Sequence, residues 1–114
     1  MSDLPDDDDG QAIRRVAADG SNLDRSMEID FMVDAPDAEA GDAIAAAARR
    51  LGYDAKVVFD EGEDDGASWT VYCTREIVLT YAAVVAAQEE LDRVSGPFGG
   101  RSDGWGTFGN AHRN

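Results

Sequence analysis

Polar and apolar residues alternate along SMEIDFMVD, where Met27, Ile29, Phe31 and Val33 interleave with Glu28, Asp30, Met32 and Asp34. A period of two marks a strand with one face buried and the other wet. The same period returns in YDAKVVFD, with Tyr53, Ala55, Val57 and Phe59 on one side. It returns again in SWTVYCT, which sends Trp69, Val71 and Cys73 to one face and Thr70 and Tyr72 to the other. The charged, glycine-containing EGEDDGA lies between these two runs, so residues 53–74 are predicted to form a hairpin. Periodicity alone leaves REIVL ambiguous, and it is read as an extension of the third strand.

Elsewhere the period is helical. QAIRRVAADG places Ile13, Val16 and Ala17 at i, i+3 and i+4, which predicts a short helix from about Asp8 to Asp19, with aspartates at its start and Gly20 as its stop. APDAEAGDAIAAAARRLG carries acids in its first turn, Arg49 and Arg50 in its last and Gly52 just beyond. Its apolar stripe, Ala43, Ile44, Ala47, Ala48 and Leu51, is made mostly of small residues suited to close packing on a sheet. Thr80 is the expected N-cap of a second long helix, whose inward side is Tyr81, Val84, Val85, Gln88, Leu91 and Val94 and which ends at Gly96-Pro97. Residues 98–108 hold too many glycines for a helix and predict a short irregular last strand, with Asn110 to Asn114 as a frayed tail.

The order after the leading helix is strand, helix, strand, strand, helix, strand. This βαββαβ order is that of a ferredoxin-like α+β sandwich, here with an extra N-terminal helix. Two helices on one face of the sheet explain why each strand alternates. The other face is then expected to carry Glu28, Asp30, Asp54, Lys56, Thr70 and Tyr72, unless the leading helix reaches over it.

Composition narrows the function classes. With 114 residues the chain is expected to be a single domain, in which residues 1–7 form an acidic lead. Twenty-four Asp and Glu face ten Lys and Arg, a formal charge of −14 that repels a nucleic-acid backbone. No stretch reads as a signal peptide or a membrane span, so a cytoplasmic location without membrane contact is expected. Cys73 is the sole cysteine and is read as a buried thiol, which leaves no disulfide framework and no Cys-x-x-Cys pair.

Candidate chemistry is sparse. GWGTFG, residues 104–109, matches G-x-G-x-x-G, but a dinucleotide-binding turn needs a helix after it and an acid about 20 positions further on. Only five residues follow Gly109, so the glycines are read as turn formers. The aspartate runs lack the donor spacing of an EF-hand loop, because Gly10 and Ala17, or Gly62 and Val71, fall where oxygen ligands are required. His112, the only histidine, lies in the tail. No catalytic, metal-binding or cofactor-binding residues are assigned, and the chain is read as a non-enzyme without a cofactor.

GSNLDRSMEIDFMV, APDAEAGDAIAAAARRLGYDAKV, WTVYCTREIVLTYAAV and GGRSDGWGTF together resemble the RraB family over about Gly20 to Phe108. DGWGT is the most specific piece, and the EIDF strand and LGY junction support it. The resemblance implies a ferredoxin-like fold without catalytic residues. It also implies a protein that binds and inhibits the bacterial endoribonuclease ribonuclease E, or a related RNA-degrading enzyme, and so modulates RNA degradation. Better-known members carry a long acidic segment after DGWGT, whereas here the main acidic run stands at the front. A ligand-binding or regulatory module of the same fold with another partner is the alternative.

Within DGWGTF the candidate partner-binding residues are Asp103, Trp105, Thr107 and Phe108, an acid, two large aromatics and a hydroxyl in a glycine-hinged segment. The simpler account is that Trp105 packs on the core and Asp103 caps a turn.

Overall fold

The computed structural model describes residues 7–60 and 68–110. In chain order these form α1 (Asp8–Ala18), β1 (Ser26–Ala35), α2 (Ala38–Arg50), β2 (Asp54–Asp60), β3 (Ser68–Val78), α3 (Tyr81–Ser95) and, after a single 3-10 turn over Gly96–Phe98, β4 (Arg101–Gly106). The four strands make one antiparallel sheet in the order β2-β3-β1-β4, and the chain is α+β as expected. REIVL extends β3 to Val78, so β1 is paired along its whole length with one strand. The connection 61–67, the first six residues and the tail 111–114 with His112 lie outside the described residues.

Each helix starts where a side chain can take an orphan backbone N–H. Asp7 accepts from Gly10, Asp37 from Ala40 and Thr80 from Ala83, at 2.9, 2.8 and 3.1 Å. Helix α3 ends at Gly96-Pro97 as expected. Gly96 keeps right-handed backbone and the chain continues through the 3-10 turn, so the left-handed residue that releases it is Gly99.

The core lies between the sheet and the helices α2 and α3, filled by Ile29, Phe31 and Val33 of β1, Val71 and Cys73 of β3, Ile44 of α2, and Val84 and Leu91 of α3, all fully buried. On α2 the buried set is Gly41, Ile44, Ala45 and Ala48, while Ala43 and Ala47 are half-buried on its flank. The helix is rotated because Gly41 lets its backbone approach β2, where an added Cβ would lie 3.0 Å from Val57 Cγ1. Helix α1 packs beside α3, burying Ile13 in the same core. No described helix covers the opposite face of the sheet.

Candidate functional site: the open sheet face and the closing segment

Strand pleat sends every second residue of β1 and β3 away from the helices. On that open face Asp30 stands opposite Thr74, Met32 opposite Tyr72 and Asp34 opposite Thr70, and β2 adds Asp54 beside Thr74 and Lys56 beside Tyr72. The six residues expected on this face from alternation are all on it, and Met32 joins them. Glu28, Asp30, Asp54, Lys56, Tyr72 and Thr74 line a shallow open depression of about 510 Å³. Tyr72 keeps 37% of its surface exposed at its centre.

The polar groups here are only partly neutralised. Thr74 donates its hydroxyl to Asp30 at 2.6 Å, and Arg101 of β4 lies 3.8 Å from the Asp34 carboxylate in an exposed, weak pair. Glu28 stands directly across from Glu76, which accepts from the Ser26 hydroxyl at 2.7 Å. Like charges in facing positions of adjacent strands disfavour folding.

The closing segment borders the face along β4. Phe31 pairs with Trp105 and Val33 with Ser102, so Asp103 and Gly104 together face Met32 in a β-bulge. Gly104 has φ of 98°, a left-handed backbone that glycine adopts without a steric penalty. The extra residue reverses the alternation. Without it, counting by two from Ser102 would send Trp105 to the open face; with it the indole turns onto the core and donates from Nε1 to Asp9 Oδ1 at 2.9 Å.

The four residues expected to touch a partner are therefore separated in role. Trp105 is half-buried against the core, whereas Asp103 is exposed at the bulge. Thr107 turns back to β1, donating to the Glu28 carbonyl at 2.6 Å and accepting from the Gly109 amide at 3.0 Å. Phe108 is fully exposed. Asn110, expected in the tail, is fastened instead: its side-chain amide donates to the carbonyls of Asn22, Arg25 and Ser26 and its Oδ1 accepts from Asn22 N. Such a staple depends on carbonyls gathered by a loop about 85 positions earlier, and no local pattern announces it.

Beneath the other side of the sheet, Arg75 lies over the Tyr53 ring at 4.2 Å and donates to the Leu51 carbonyl, while the Tyr53 hydroxyl donates to Glu90 at 3.2 Å. Burial pushes the Tyr53 phenol up to about 12, against the opposing pull of Arg75. Burial alone raises the Cys73 thiol to about 11, which makes it a poor nucleophile. Among the described residues no group of three or more His, Cys, Asp or Glu side chains is placed to hold a metal ion, and no helix is long and apolar enough to cross a membrane.

The fold and its surface thus define a small α+β domain with an acidic, uncovered sheet. A family model described as "Regulator of ribonuclease activity B" matches residues 6–107, and the chain belongs to that family, RraB. The match begins ahead of α1, so the leading helix is part of the family's domain. No curated protein matches the chain.

Proposed function

We propose that this protein is a noncatalytic regulator that binds ribonuclease E, or a closely related endoribonuclease, and lowers its cleavage of RNA. The family match over residues 6–107 carries the reading, since its members regulate ribonuclease activity. The described chemistry is compatible with action by contact. Its only thiol is buried, and its exposed face is acidic, repelling RNA while attracting basic protein segments. The scaffold is read as a ferredoxin-like sandwich, with β1, α2, β2, β3, α3 and β4 supplying the βαββαβ order, and its place of action as the cytoplasm.

Asp103, Trp105, Thr107 and Phe108 are proposed to take part in the contact. Asp103 and Phe108 would do so directly, as exposed side chains, while Trp105 and Thr107 would hold the segment in place. The test is co-purification with the ribonuclease of the same organism, followed by an RNA-cleavage assay with added protein. Stable binding with slowed cleavage is expected. Absence of binding at moderate salt, or unchanged cleavage by a saturated complex, would sink the reading.

A further inference from the structure

We propose that the open sheet face is the docking surface, and that its occupant is an extended, arginine-rich protein segment held across Tyr72. This deepens the reading above and rests on it for the existence of a protein partner.

The face combines three properties that one ligand chemistry satisfies together. First, its charge is unbalanced: Glu28, Asp30 and Asp54 line the depression around Tyr72, with Lys56 the one cation lining it. Arg101 is already drawn to Asp34 on the far side of β1. Second, the centre is amphipathic rather than merely acidic. Tyr72 and Met32 face each other across the two central strands, and the phenol ring offers a π-face on which a guanidinium stacks. Third, the facing carboxylates Glu28 and Glu76 repel each other, and a cation placed between them relieves that repulsion on binding.

Other occupants fit less well. An RNA strand would bring phosphates to a carboxylate-rimmed sheet, against the Coulomb term that dominates nucleic-acid binding. A second copy would bring another chain of charge −14, with the same carboxylates facing themselves across a two-fold axis. Arginine satisfies the face better than lysine, since its planar fork pairs with carboxylates in bidentate fashion while its plane stacks on tyrosine.

The experiment measures binding of the full chain to a fluorescent arginine-rich peptide and to its lysine counterpart by anisotropy at low and moderate salt. Stability of every variant is followed by urea denaturation. Tyr72→Ala is expected to weaken arginine-peptide binding about 5-fold or more. Glu28→Gln is expected to weaken it about 2- to 5-fold while leaving the urea midpoint unchanged or higher, since a facing repulsion is removed. The paired change Glu39→Gln and Asp42→Asn on exposed positions of α2 removes two negative charges away from the face, more than either face variant removes, and is still expected to weaken binding less than either. Affinity is expected to fall with salt and to favour arginine.

The proposal is overturned if Tyr72→Ala and Glu28→Gln bind the peptide as the unaltered chain does. It is equally overturned if the α2 changes weaken binding as much, if the face variants abolish a self-association of the chain instead, or if a labelled RNA displaces the peptide by taking the same face. Its failure is distinguishable from that of the proposed function. A chain that still inhibits the ribonuclease with Tyr72 and Glu28 replaced retains the function and loses this surface. A chain that never binds the ribonuclease loses the function whatever the peptide does.

Discussion

The indole of Trp105 donates to the Asp9 carboxylate at 2.9 Å across 96 positions of sequence, joining β4 to the first turn of α1. The other oxygen of Asp9 accepts from the Gln88 side chain of α3 at 3.1 Å. One carboxylate therefore holds together a helix, a second helix and the last strand. Replacement of Asp9 by Ala leaves two donors to find water, and a loss of about 1–3 kcal/mol in urea unfolding is expected. Asp9→Asn retains an acceptor for the indole and should cost less.

Two glycines of GWGTFG separate backbone demand from mere permissiveness. At Gly104 the φ of 98° opposes any side chain, and Gly104→Ala is expected to cost about 1–2 kcal/mol and to loosen the bulge that aims Trp105. At Gly106 φ is not positive and an added Cβ meets nothing within 4 Å, so Gly106→Ala is expected to change stability by no more than about 0.5 kcal/mol. Equal effects in thermal unfolding would contradict the bulge's role.

Gly100 is required by packing alone. A Cβ there would lie 2.7 Å from Ile44 Cδ1 and 2.8 Å from the Asp34 carbonyl, so α2 and β1 would have to part. Gly100→Ala is expected to destabilise by about 1–3 kcal/mol, the usual cost of forcing extra volume into a filled core. Denaturant midpoints of the two alanine variants, at 100 and 106, make the comparison direct.

Alkali should unfold the chain in a defined window. Cys73 rises from 9.0 to about 11 and Tyr53 from 10.0 to about 12, so the folded state holds both protons more tightly than the unfolded state. Their contributions are fully present below about pH 9 and are lost as pH climbs through 9–12. Stability measured against pH is expected to fall across that range. In the native protein Cys73 should resist alkylation at pH 8 and react only after denaturation.

At the exposed start of α1, Tyr81 donates to Asp7 at 2.6 Å, and this bond, reinforced by the Gly10 amide, holds the Asp7 carboxyl below its ordinary value. Removing the hydroxyl with Tyr81→Phe should move the Asp7 titration upward toward 3.8, observable by NMR. The depressed value contributes stability above the unfolded pKa that disappears as pH falls through the folded one. An unmoved titration would place Tyr81 elsewhere in solution.

Much of this molecule is legible in local pattern. Alternation in SMEIDFMVD and SWTVYCT assigns the buried face of β1 and β3, because a strand's side chains can go only to one side or the other. Thr80 announces a helix start because a hydroxyl one residue ahead can reach the free amide of Ala83. The same alternation puts Tyr72 among the carboxylates of the open face. The DGWGT segment, residues 103–107, closes the stretch that the family model matches.

What local pattern could not decide is where that segment points. A bulge shifts alternation by one residue, and whether Asp103 and Gly104 form one depends on the partner strand, here β1 with Met32 opposite both. The direction of Trp105, the clasp with Asp9, the staple by Asn110 and the rotation of α2 about Gly41 all arise from groups far apart in sequence competing for the same space and hydrogen bonds. The order of polar and apolar residues thus determined the elements and the faces of this protein. Tertiary packing decided which aromatic of the closing segment, Trp105, packs against the core and which, Phe108, is left exposed.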